Sequence, residues 1–453
     1  MKQVKNRTLF VLVFAAALLV GLVIFVGSYV LEGSSWASFS ANRHVYTNGK
    51  ISSGTITDRN GTLLYDCATQ SYAGDATTRA ALLHVLGDGS GNISTGALNL
   101  FSSQLVGYDP IFGTSGSGNR VSLSVDAQLC KTAYQLLEGK SGTVALYNYR
   151  TGQVLCMVSA PAFDPTNASQ VAAVASGDSA YTGAYVNRFL SATYTPGSTF
   201  KLVTAAAALE TLGQSAMEDF SYTCTGTLTV DGTQVTCPSA HGTQTFGQAL
   251  TNSCNCAFAT LALQLGGNTL QAYMEKAGLL GRLTVDGVPT AAGSFTASPD
   301  GSSELAWSGV GQSTTLVNPC TQLALMGCIA RGGTAAAPEL LNTVTSPFGL
   351  PMGSGSVTTY SIDWDEDTCS TLKWMMRDNV KNKYADTLDF GDLSVCAKSG
   401  TAEVGSGKPH AWFTGFVDSD QYPYAFVVVV EHGGGGASVA GSIAAQLLQV
   451  ACS

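Results

Sequence analysis

The sequence predicts an α+β domain held behind one membrane-spanning helix. Three observations carry this expectation. Strand-like runs stand at both ends of the region after residue 120, helical stretches fill its middle, and a charge-free apolar run lies near the N-terminus. Strands contributed from both ends of a domain, with helices between them, pair into one sheet on which the helices pack.

The elements follow in chain order. Leu9 to Leu31 contains no charged residue. At about 1.5 Å per residue, a helix of that length crosses the roughly 30 Å hydrocarbon core of a bilayer. Lys2, Lys5 and Arg7 precede it and Glu32 follows it. The bias of basic residues then makes 1–8 a cytoplasmic tail, 9–31 the anchor, and everything after it extracytoplasmic. A cleaved signal peptide would carry a shorter apolar core, of about 7–15 residues. Residues 32–120 read as a small stalk domain. Its start, 33–60, is polar and rich in Gly and Ser, and Asn60-Gly61 marks a turn between β-like runs at 55–57 and 62–65. A helical stretch follows near Thr78 to Leu86, then a Gly/Ser-rich loop at 113–119. Residues 121–453 form the larger domain. Asp126 suits the N-cap of a helix from Ala127 to about Leu137. Gly142 to Tyr149 and Gln153 to Ser159 alternate like strands around Arg150-Thr151-Gly152. Helical stretches are expected at 199–212, 245–264 and 319–331. Strands return at 393–398, 411–417 and 424–431, and Ala437 to Val450 has a helical period.

Composition excludes some functions. The net charge is -9, and no basic stripe is present to displace phosphate counterions, so no nucleic-acid partner is expected. The 12 cysteines show no zinc-ligand spacing, since Cys254 and Cys256 are one residue apart rather than two to four. No metal and no cofactor is expected, and most cysteines read as small core residues. Cys224 and Cys237 flank a hairpin from Thr227 to Thr236, with Asp231-Gly232 at its turn. A two-residue turn leaves them diagonal, about 7–8 Å apart at Cα, too far for a disulfide; a bulge or longer loop would bring them into reach. Both outcomes stay open.

Three short motifs offer chemistry. Ser198, in Pro196-Gly-Ser-Thr-Phe-Lys201, starts a helical run, and Lys201 lies three residues on, on the same face. A neutral amine held there can take the serine proton. The plainer reading is an N-cap beside a solvated lysine. Ser253-Cys254-Asn255 presents a hydroxyl and an amide from one short loop, or is a polar turn between helices. Lys398-Ser399-Gly400-Thr401 follows the strand Leu393 to Ala397. Its lysine and hydroxyls suit a carboxylate, and its glycine lets a ligand backbone come close. The plainer reading is an edge strand carrying a protective lysine.

In this order the three resemble the S-x-x-K, S-D-N and K-T-G set of penicillin-binding proteins and β-lactamases, the second and third varying as S-C-N and K-S-G. The stretch Gly54 to Gly61 resembles a stalk signature of class B, monofunctional penicillin-binding proteins. Asp126 to Leu129, Thr151-Gly152, Pro161 to Pro165, Asn187-Arg188, Gly311-Gln312, Lys398 to Glu403 and His410 to Phe413 resemble further landmarks of that family. The stalk is short for the class. The resemblance implies a transpeptidase domain with a five-stranded antiparallel sheet and helices. It implies a peptidoglycan D,D-transpeptidase that cross-links stem peptides and is acylated by β-lactams. Ser198 would be the nucleophile, Lys201 the base and Ser253 a proton relay. Asn255, Lys398, Ser399, Gly400 and Thr401 would bind substrate. The implied partners are stem peptides on lipid-linked nascent glycan and a SEDS-family glycosyltransferase in the same membrane. A D,D-carboxypeptidase is the alternative enzyme, and a β-lactam sensor or scaffold the alternative without catalysis.

Overall fold

The computed structural model describes residues 2–38, 54–106, 108–109, 113–114 and 118–453. Most of the polar stretch expected from residue 33, at 39–53, and the centre of the 113–119 loop, at 115–117, lie outside the described residues. The apolar run is helical, within a longer helix, Lys2–Ser38. Val4–Gly33 is long and apolar enough to cross a membrane. Phe14, Leu18 and Leu31 on it are exposed, as a helix facing lipid rather than a protein core requires.

The central sheet has five strands, in the order Val395–Ala402, His410–Val417, Tyr424–Val430, Gly142–Asn148 and Val154–Ala160. Every neighbouring pair is antiparallel. The two ends of the domain thus meet where Tyr424–Val430 pairs with Gly142–Asn148. Ala425 to Val430 is buried without interruption. Burial of successive residues, which point to opposite faces, means that both faces of the sheet are covered. Pro319–Ala330, Glu366–Asn379, Ala127–Leu136 and the terminal Ser442–Ala451 supply the cover. Asp126 caps its helix as expected, its carboxylate accepting the Leu129 N–H at 2.9 Å.

A second sheet orders Pro351–Ser354, Leu341–Thr345, Arg120–Leu123, Thr55–Thr57, Leu63–Asp66 and Ser71–Tyr72. The hairpin at Asn60-Gly61 is present, with Gly61 at a φ of 84°. This sheet crosses residue 120, because Leu341–Thr345 joins Arg120–Leu123 from far along the chain. Asp58 is buried and accepts the N–H groups of Asn60, Thr62 and Ala127, which joins the hairpin to the first helix of the larger domain.

Four elements differ from the sequence expectation. The stretch 245–264 is two helices, Phe246–Thr251 and Asn255–Leu265. They are separated because Ser253 takes a left-handed φ of 54° and Cys254 caps the second helix. The strand expected at 393–398 continues to Ala402, held by pairing of Ala402 with His410. The helix near Thr78 to Leu86 is divided at Leu82. The last helix is preceded by a wider turn at Gly436–Gly441.

Candidate active site

Ser198 sits in a 3-10 turn, Gly197–Thr199, that leads into the helix Lys201–Thr211. The turn is pressed against two neighbours. A side chain on Gly197, at a φ of 54°, would meet the Thr401 carbonyl at 2.7 Å, and one on Gly311, at 85°, would meet the Gly197 carbonyl at 2.1 Å. The Gly197 N–H donates to the Gly311 carbonyl at 2.9 Å. Glycine at these positions removes the Cβ that would otherwise hold the segments apart.

Lys201 Nζ lies 3.1 Å from Ser198 Oγ and 2.8 Å from Asn255 Oδ1. It also reaches Ser253 O at 2.7 Å and Ser253 Oγ at 3.2 Å. Lys398 Nζ donates to the same Ser253 Oγ at 3.0 Å and to Ser399 O at 3.0 Å. Three motifs scattered along the chain therefore converge on one hydroxyl. Ser253 occupies its position in left-handed backbone, a conformation costing a non-glycine residue about 1–2 kcal/mol. Asn255 has one further role, donating from Nδ2 to Thr236 O at 2.7 Å.

Both lysines are fully buried. Burial pushes the Lys201 ammonium down to about 7. Burial, together with the positive charges of Lys201 and Lys383, pushes Lys398 well below the usual lysine range. Neither lysine has an ion-pair partner among the described residues. Two buried amines without a carboxylate favour an anion, whose charge would stabilise their protonated forms.

The plainer reading of the third motif, a lysine guarding an edge, does not hold. Its strand is an edge strand, but Lys398 does not guard the edge; the side chain is buried against Ser253. Gly400 lies against the turn before Ser198. A Cβ there would meet the Pro196 carbonyl at 2.5 Å, so the close approach is to the turn before Ser198. Ser399 and Thr401 lie on the same strand with other partners. Thr401 Oγ1 accepts the Gly436 N–H at 3.1 Å. Ser399 Oγ accepts the Tyr384 hydroxyl at 2.8 Å, and the Ser399 N–H donates to that hydroxyl at 2.9 Å. The arrangement leaves the Ser399 hydroxyl hydrogen free to donate. Asn379 fixes Tyr384 in turn, donating from Nδ2 at 3.2 Å.

Tyr384 escaped the sequence reading, since nothing local distinguishes it from a core aromatic. Several residues singled out earlier frame the site. Gln312 Nε2 donates to Thr401 O at 3.4 Å, and Trp412 Nε1 to Thr195 O at 3.0 Å. Arg188 pairs with Glu431 at 2.8 Å, and Glu431 also accepts the Tyr194 hydroxyl at 2.7 Å.

The family model of the penicillin binding protein transpeptidase domain matches residues 142–449. The chain belongs to that family. Peptidoglycan D,D-transpeptidase PbpA of Mycolicibacterium smegmatis is 28% identical over 367 residues, covering 76% of this penicillin-binding protein and 73% of the relative. Penicillin-binding protein A of M. tuberculosis, solved as a ceftriaxone acyl-enzyme complex, shares the fold at 23% identity. Its TM-score is 0.76, over 88% of this chain and 98% of that one. PBP2 of Helicobacter pylori, solved in complex with MreC, gives a TM-score of 0.63 at 22% identity, over 73% of this chain and 63% of its own. The family model and the D,D-transpeptidase relatives place this penicillin-binding protein in class B, and a candidate membrane anchor precedes its domain.

Proposed function

We propose that the chain is a peptidoglycan D,D-transpeptidase acting through an acyl-enzyme at Ser198. The observation that carries this reading is the contact of Lys201 Nζ with Ser198 Oγ at 3.1 Å, in a site holding two buried lysines and, among the described residues, no carboxylate paired with them. Ser198 Oγ bonds to the carbonyl carbon of a D-Ala-D-Ala stem while its proton passes to neutral Lys201. Ser253 Oγ, within reach of both lysines, relays a proton to the leaving nitrogen as the C–N bond breaks and D-Ala departs. An amine from a second stem then attacks the ester, Ser198 regains its proton, and the cross-link forms.

Lys398, Ser399 and Thr401 bind the terminal carboxylate, which supplies the negative charge the site lacks. Asn255 holds Lys201 and the substrate amide. Gly400 acts by letting the strand lie close to the Ser198 turn. The N–H groups of Ser198 and Thr401 form the oxyanion hole, each donor worth about 3–4 kcal/mol. A β-lactam, whose ring carbonyl and carboxylate imitate the stem, acylates the same serine. The N-terminus lies in the cytoplasm and the domain outside. A SEDS-type glycosyltransferase supplies the glycan strands and meets the anchor at Ala15, Ala16, Ala17 and Gly21, small residues that permit close helix packing in lipid. A stalk contact would use exposed Arg59 to Gly61, since Asp58 is buried.

Ser198→Ala tests the central claim. The variant should fold as the wild type does and take up no fluorescent penicillin; labelling at the wild-type level would remove Ser198 as nucleophile.

A further inference from the structure

We propose that Cys224, Cys237, His241 and Cys254 bind one zinc ion, which ties the Ser253-Cys254-Asn255 loop to the small strands beside it. The four ligand atoms all lie within 4.8 Å of one another. Cys237 Sγ is 3.8 Å from Cys224 Sγ and 3.8 Å from Cys254 Sγ. A tetrahedron with Zn–S bonds of about 2.3 Å has sulfur–sulfur edges of about 3.8 Å. Chain spacing hides this set because only Cys237 and His241 share a loop, while Cys224 and Cys254 each come from another element. Cys224 ends the strand Ser221–Cys224, Cys237 follows Thr233–Thr236, His241 precedes Gly242–Thr245, and Cys254 lies between two helices.

Independent features point the same way. His241 Nδ1 is buried without a hydrogen-bond partner, and a buried ring nitrogen without one is costly unless it binds something. Each of the three sulfurs accepts a backbone N–H: Cys224 from Gly226 at 3.4 Å, Cys254 from Ala257 at 3.4 Å and Cys237 from Cys256 at 3.5 Å. Such donors favour the thiolate, the form that ligates metal. A fourth cysteine, Cys256, lies 3.5 Å from Cys237 but directs its thiol hydrogen to Val235 O, which leaves it outside the set. A disulfide could join Cys237 to only one of its neighbours and would leave His241 without a partner.

The strands concerned also lack a core of their own. Each of Ser221–Cys224, Thr227–Val230, Thr233–Thr236 and Gly242–Thr245 buries a single residue. Small units of this kind are commonly held by a metal. Three thiolates with one imidazole suit zinc in a closed, non-catalytic site. Each cysteine gives up its thiol proton on binding, so affinity falls as pH falls. Cys254 lies between Ser253 and Asn255, both of which contact Lys201, so the ion fixes the loop that holds the lysine. That coupling to acylation rests on the function proposed above; metal binding does not.

The test uses the full-length chain in detergent, free of any histidine tag. It is reduced, stripped with a chelator, and titrated with zinc and separately with cobalt. One equivalent should bind, and cobalt should show thiolate charge-transfer and tetrahedral d–d bands. His241→Ala and Cys237→Ser should lose tight binding, and Cys256→Ser should keep it. His241→Cys, which restores a ligand atom, should bind again, separating loss of a ligand from loss of fold. No binding by the reduced wild type, or undiminished binding by His241→Ala and Cys237→Ser, overturns the site. So does a disulfide between any two of Cys224, Cys237 and Cys254 in chain isolated from membranes. Stripping zinc should slow fluorescent-penicillin labelling roughly tenfold, with recovery on re-addition. Unchanged labelling overturns the tie to the loop, whereas no labelling in either state, with zinc bound, counts against the Ser198 reading instead.

Discussion

At the residue scale, the site depends on lysines kept from water. Burial holds Lys201 near 7, and only its neutral form can accept the Ser198 proton. Acylation by penicillin should therefore rise with pH through about 7 and level off above it. A rate that stays flat between about pH 6 and 8 would remove Lys201 as the base. The same displacement bears on stability. The folded value lies below the unfolded one of about 10.4, so between the two the unfolded chain binds more protons, and this group's contribution to stability rises with pH across that window. On the proposed reading, Tyr384 acts one step away from the substrate, by aiming the Ser399 hydroxyl. Tyr384→Phe should lower acylation by roughly tenfold and cost about 1–3 kcal/mol of stability, since the Ser399 N–H loses its acceptor. Lower stability with an unchanged acylation rate would make Tyr384 a packing residue only.

At the element scale, the site is made by segments that approach more closely than side chains allow. The turn Gly197–Thr199 is wedged between the strand Val395–Ala402 and the loop at Gly311. Gly311→Ala would set a Cβ at 2.1 Å from the Gly197 carbonyl in backbone already at a φ of 85°. The turn must move, so thermal stability should fall by about 1–3 kcal/mol and penicillin acylation should be largely lost. A variant that melts and acylates like wild type would show that the turn is not held from this side. The break between Phe246–Thr251 and Asn255–Leu265 is a second device of this kind, since a continuous helix would carry Ser253 in right-handed backbone. Apolar periodicity across 245–264 reads through the break because both halves bury the same kinds of residue, Leu250 before it and Phe258 after it.

At the scale of the whole molecule, an apolar helix, a sheet begun by Thr55–Thr57 and a transpeptidase-family domain follow one another along the chain, yet that sheet borrows Leu341–Thr345 and Pro351–Ser354 from far along the domain. Borrowed strands and the buried Asp58 make residues 54–72 an extension of the larger domain rather than a free tether. On the proposed reading, contact with a membrane-embedded glycosyltransferase then falls chiefly to the anchor. Purification from detergent should recover a SEDS protein with the wild-type chain and much less with a chain whose anchor is replaced by an unrelated apolar helix. Equal recovery with both, or recovery with neither, would defeat the anchor contact.

The sequence by itself determined the α+β class, the apolar anchor run, the five strands of the central sheet and the residues Ser198, Lys201, Ser253, Asn255 and Lys398 that meet in the site. These are legible because alternation, periodicity and short motifs are local properties of the chain. Tertiary structure alone decided that Lys398 is buried, that Gly400 serves the Ser198 turn, that Tyr384 holds Ser399, and that Cys224, Cys237, His241 and Cys254 come together. Each of these depends on distances set by how helices and strands pack, whether the segments are far apart, as Gly400 and Pro196, or near, as Cys237 and His241, and spacing along the chain does not fix them.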